Sequence, residues 1–173
     1  QLKEVGVAVL KTSNPKGGDA GYEEIVAILK INNIPFEAYE HEPVRTSEEA
    51  AKVRQTALHM GVKALVMYAD DVPVMVAVVA NRKVDMKAFK KQFNVRDLRM
   101  ATPEEVLTVT SVAIGAVPPF GHIFGIPLYV DRSIQDNKSV VFNAGLHHKS
   151  ISLDEKNYEK VARPIIGTYS KEA

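Results

Sequence analysis

The strongest constraint on the fold is a pair of apolar runs, Lys63 to Ala69 and Val74 to Ala80, separated by Asp70-Asp71-Val72-Pro73. Each run has the length of a strand, and neither alternates apolar with polar residues. A strand that is apolar on both faces must be covered on both faces. The turn-forming insert closes the two runs into a hairpin of central strands, and the rest of the chain must supply the covering layers.

The flanking segments read accordingly. Glu23 to Asn33 places Ile25, Ile28 and Leu29 on one face and predicts an amphipathic helix. Phe36 to His41 reads as a short strand ended by Pro43. Thr46 and Glu49 have capping-box spacing, opening a helix that carries Ala50, Val53 and Ala57 inward and stops at Gly61. Asp85 caps a helix bearing Met86, Phe89 and Phe93, and Thr102-Pro103-Glu104-Glu105 starts another. Ser111 to Ile126 is too rich in glycine and proline for a plain helix. Strands are expected at Pro127 to Asp131, Val140 to Asn143 and Ser150 to Leu153, with a closing helix at Glu155 to Ala162. Ahead of all these, Val5 to Lys11 reads as a strand and Thr12 to Gly21 as a mobile loop. The expectation is one mixed α/β domain over residues 1–173.

Composition narrows the chemistry. With no cysteine there is no disulfide, thiolate nucleophile or thiolate metal site. The five histidines, His41, His59, His122, His147 and His148, show no helical ligand spacing, so no metal is expected. No apolar run reaches the roughly 18 residues of a membrane span, and the chain reads as soluble and cytoplasmic. A net charge of +1 confines any nucleic-acid contact to a local patch.

Four stretches could carry function, each with an ordinary reading beside the sharper one. Arg82 to Arg99 holds seven basic residues against Asp85 and Asp97, among them Lys87, Lys90 and Lys91. They form either a solvated helix face or a phosphate-contacting patch. Lys63 enters a buried strand, where it either snorkels to the surface or holds an anion. Gly115-Ala116-Val117-Pro118-Pro119-Phe120-Gly121 is either a tight turn or a loop presenting amides to an oxyanion. Gly17 to Gly21 sits where a dinucleotide loop would lie, but too far past the strand to fit that fingerprint.

Six pieces in order carry a resemblance. They are Tyr39-Glu40-His41-Glu42-Pro43, Gly61 to Val66, Val84-Asp85-Met86-Lys87, Gly115 to Gly121, Pro127 to Asp131, and Phe142-Asn143-Ala144-Gly145. Together they resemble the YbaK/prolyl-tRNA synthetase-associated editing domains from about Tyr22 to Ile165, leaving residues 1–21 outside. The resemblance implies a mixed, partly barrel-like sheet surrounded by helices. It implies hydrolysis of misacylated tRNA in trans, typically tRNA for proline carrying Ala, Ser, Thr or Cys, without a cofactor. The family lysine matches Lys63, and its GxxxP loop matches Gly115, Ala116, Val117, Pro118 and Pro119; these would do the chemistry. Tyr39, His41, Thr46, Phe120, Asn143, Gly145 and His147 would bind the substrate, and Lys87, Lys90 and Lys91 the tRNA. The partner implied is the acceptor end of aminoacyl-tRNA, with an aminoacyl-tRNA synthetase as a further one; monomer and homodimer both stay open. Ala64, Asn143 and Ser150 depart from the cysteine-removing members and point to another amino acid. The alternative is a module of the same fold that binds aminoacyl-tRNA or a small effector without turnover.

Overall fold

The computed structural model describes residues 18–44 and 46–173. The strand expected at Val5 to Lys11, and the loop as far as Gly17, lie outside them. Five helices alternate irregularly with ten strands among the described residues: α1 (Gly18–Ile31), β1 (Glu37–Glu40), α2 (Ser47–Arg54), β2 (Val62–Ala69), β3 (Val72–Val79), β4 (Arg82–Val84), α3 (Met86–Phe93), β5 (Leu98–Met100), α4 (Pro103–Thr110), β6 (Leu128–Asp131), β7 (Ser139–Leu146), β8 (Lys149–Asp154), α5 (Glu155–Ala162), β9 (Ile165–Gly167) and β10 (Ser170–Glu172).

The expected hairpin is β2 paired antiparallel with β3, and it lies inside a five-stranded sheet ordered β5-β2-β3-β6-β9. Because β6 and β9 run parallel to their neighbours, the sheet is mixed. A second, antiparallel sheet is ordered β1-β8-β7, and a bridge from Gly61 to Val141 ties it to the first. The short pair β10-β4 stands apart, and the described strands do not close into a barrel.

Strand alternation sorts the hairpin onto two cores. Val62, Val66, Met75, Ala77 and Val79 join the larger core, with α1, α5, Phe120 and Phe142. Met67, Val74, Val76 and Val78 join the smaller one, with Phe89 and Tyr169. Phe89, the fully buried residue of α3, stacks edge-on against Tyr129 and Tyr169. Burying a side chain of that size is worth about 1.5–3 kcal/mol, enough to dock a two-turn helix that could not stand alone.

Local signals set most helix boundaries. Both capping boxes form, at Thr46 with Glu49 and at Thr102 with Glu105. Asp85 and Asp154 accept from the first-turn amides of α3 and α5. Three expectations are corrected. Gly18 to Gly21 open α1 instead of continuing a loop. α2 stops at Arg54, because Gln55 turns left-handed (φ 59°) and its N–H caps Ala51 and Lys52. That early stop leaves Val53 and Ala57 exposed, with Ala50 as the buried residue of the helix.

α5 carries a pH-sensitive pair. Burial, then a hydrogen bond shared with Glu159 and the charge of that group, pushes the Glu155 carboxyl up to about 8. A raised folded-state value means stability that is present below the ordinary value of 4.5 and lost as pH rises through 8. The melting temperature is therefore expected to fall between pH 5 and 9, and Glu155→Gln should flatten that slope in a thermal melt series.

Candidate active site

β5 pairs with β2 only from Met67 to Ala69. Past it, the Ala101 N–H donates to Val66 O (3.0 Å). Between that bond and the Gly61 bridge, this edge of β2 has no strand beside it among the described residues. A cavity of about 210 Å³ fills the gap. Its walls are residues 62–66 of β2, the inner face of α2 from Thr46 to Arg54, Met100 and Val106, and the loop residues Ile114, Gly115 and Val117.

Among the described residues, Lys63 and Arg54 are the charged ones lining it, and no carboxylate lines it. Burial lowers the Lys63 ammonium below the ordinary lysine range, and Glu48 works the other way. The Arg54 guanidinium is brought down to about 10, chiefly by burial. Among the described residues neither is in an ion pair. Two desolvated cations facing one small space suit a ligand that carries, or develops, negative charge.

Arg54 is also the hub of a hydrogen-bond network. Its Nη2 donates to Asn143 Oδ1 (2.8 Å), and Asn143 Nδ2 donates to the Gly115 carbonyl (2.8 Å). Its Nε donates to the buried Ser150 Oγ (2.9 Å), which lies 2.8 Å from His41 Nε2. His41 Nδ1 faces the Glu42 carbonyl at 2.8 Å, so in the neutral ring it holds the proton and Nε2 accepts from Ser150.

The loop offers two amides. Pro118 and Pro119 have no N–H, and the Ala116 N–H donates to Ala113 O (3.0 Å). The N–H groups of Gly115 and Val117 have no acceptor among the described residues, and both residues line the cavity. Gly115 holds φ +91°, which only glycine adopts readily, with His147 Nε2 donating to the neighbouring Ile114 carbonyl (3.1 Å). From behind, the Gly145 N–H donates to Ala116 O (3.0 Å).

The structure thus gathers Lys63, Thr46, Gly115, Val117 and Asn143 at the cavity wall. His41, Gly145, His147 and Ala116 support that wall without lining it. Pro118, Pro119 and Phe120 are buried behind the loop, where Tyr158 Oη donates to Pro119 O and Phe120 packs edge-on against Phe142. Tyr39 donates to Glu37 on β1 and does not line the cavity. Lys87, Lys90 and Lys91 sit on α3, whose packing is with the smaller core and not with the cavity wall. Arg54 escaped the sequence reading because an arginine within a helix is ordinary; nothing local marks it as turned inward. No helix among the described residues is long and apolar enough to cross a membrane, and no group of three or more His, Cys, Asp or Glu side chains among them is placed to hold a metal ion.

Comparison with known proteins agrees with this arrangement. The family model for the aminoacyl-tRNA editing domain matches residues 41–161. The multifunctional Ser/Thr-tRNA deacylase ProXp-y of Escherichia coli K12 is 27% identical over 161 residues, covering 90% of this chain and 96% of that protein. The proline–tRNA ligase of Thermosipho melanesiensis is 31% identical over 118 residues, 66% of this chain but 21% of the ligase. A solved structure of a candidate trans-editing enzyme for prolyl tRNA synthetase superposes with a TM-score of 0.75 at 23% identity, covering 87% of this chain and 97% of the other, which shows a shared fold. The chain belongs to the aminoacyl-tRNA editing domain family, and its activity is hydrolysis of the aminoacyl ester of tRNA.

Proposed function

We propose that this chain removes serine or threonine from wrongly charged tRNA, acting in trans on the acceptor end. The observation that carries the proposal is the cavity of about 210 Å³ lined by Lys63 together with Gly115 and Val117, whose N–H groups have no acceptor among the described residues. An aminoacyl ester is already activated, so positioning water and stabilising the oxyanion is sufficient chemistry. In this reading the Gly115 and Val117 amides receive the ester oxygen as it gains charge. Lys63 anchors the terminal adenosine's phosphate or the ester end, as a point charge. Water attacks the carbonyl carbon, the carbon–oxygen bond to the ribose breaks, and the ribose hydroxyl leaves with a proton.

The substrate class rests on two supports. ProXp-y, similar over nearly all its length, is a Ser/Thr-tRNA deacylase by name. Asn143 and Ser150, where the chain departs from the cysteine-removing members, are both hydrogen-bonded by Arg54. Of the two, Asn143 lines the cavity, and its amide there suits a hydroxyl better than a thiol. Thr46 shapes the substrate side of the site in this reading with His41 behind the wall, and the α3 lysines contact acceptor-stem phosphates, fixing register and not identity.

The test is deacylation of tRNA for proline charged with Ala, Ser, Thr, Cys or Pro. Clearance of the Ser and Thr species, with Pro spared, is the expected result. Clearance of Ala or Cys alone overturns the substrate class, and binding without any clearance replaces the enzyme by a binding module.

A further inference from the structure

We propose that Arg54 is a positioning residue for the oxyanion loop, holding it through Asn143; this rests on the deacylase reading above. The connection is continuous: guanidinium to Asn143 Oδ1 at 2.8 Å, then Asn143 Nδ2 to the Gly115 carbonyl at 2.8 Å. Asn143 can donate to that carbonyl only while its amide oxygen is turned toward Arg54. The Gly115 carbonyl belongs to the peptide that follows Gly115, so fixing it fixes the turn between the two free amides, Gly115 and Val117. The second arm, to Ser150 and on to His41, keeps the guanidinium from rotating away.

The charge carries the argument beyond architecture. A hub made of hydrogen bonds alone could be a neutral amide. A guanidinium kept largely out of water with two neutral oxygens as acceptors, and no carboxylate among the described residues that line the cavity, is held at a desolvation cost. Negative charge that develops on the ester oxygen at the loop offsets that cost in the transition state and not in the ground state. Such a group acts on turnover more than on binding.

The experiment measures deacylation of whichever charged tRNA the native chain clears, for Arg54→Ala, Asn143→Ala and the double variant, with a thermal melt of each. The expected result is a turnover rate about tenfold or more lower for each single variant, with KM changed by less than about threefold. The double variant should be no slower than the slower single one, because the two residues act as one unit. Guanidinium ion added to Arg54→Ala should restore part of the rate. If Arg54→Ala does not fold, Asn143→Asp carries the test: it sets a carboxylate oxygen against the Gly115 carbonyl and neutralises Arg54, and should lose turnover while keeping its fold. Native turnover in folded Arg54→Ala, additive losses in the double variant, or a loss confined to KM would each overturn the proposal while leaving the deacylase reading intact. A native chain that clears no charged tRNA overturns both.

Discussion

Replacing Lys63 with alanine is expected to lower deacylation by about 100-fold or more while leaving the melting temperature close to native. The asymmetry follows from where the residue stands. Its ammonium is partly desolvated, so its attraction for an anion is stronger than it would be in open water. No ion pair with another described residue is lost with it, and its strand position, opposite Val78, accepts alanine. Lys63→Arg should rescue little, because a planar fork does not replace a compact point charge in a cavity of this size. Rates on a mischarged tRNA, read beside thermal melts, check both variants; native turnover in folded Lys63→Ala would remove the residue from the mechanism.

Gly115→Ala should produce the second large loss, about tenfold to 100-fold in rate. At φ +91° an L-residue is strained by about 1–3 kcal/mol. Its new Cβ would also meet His147 Nε2 at 3.3 Å, so that ring must give by a few tenths of an ångström, and with it its hydrogen bond to the Ile114 carbonyl that holds the loop. Gly125→Ala is the control. Gly125 has φ +73° and open space around its missing Cβ, and it lies outside the cavity wall. It should lose stability on the same backbone grounds and keep its rate. Equal rate losses in the two variants would mean that strain alone, and not amide placement, explains the effect.

These two residues also mark how far the sequence could be read. Lys63 and the Gly115 to Pro119 loop stood out locally, as a lysine opening an apolar strand and as glycine and proline in a pattern that no helix tolerates, but each kept an ordinary reading until the resemblance to the editing domains implied a role. The hairpin was legible for a similar reason. Val62–Ala69 and Val72–Val79 are apolar on both faces, and only an interior strand satisfies that. Caps at Thr46, Asp85 and Thr102 were legible because a cap is a contact across three residues.

What the sequence alone determined, then, is what short-range physics controls: the capped helix starts, the central strands and the irregular glycine and proline loop. Tertiary structure decided the rest. Arg54 is held inward because Asn143 and Ser150, about ninety residues away, arrive as its acceptors. The cavity exists because β5 stops pairing at Met67, leaving one edge of β2 open. Pro118, Pro119 and Phe120 went to the core because α5 and β7 brought Tyr158 and Phe142 against them. Each of these depends on contacts between distant segments, and no local periodicity encodes which distant group will be there to meet a buried charge.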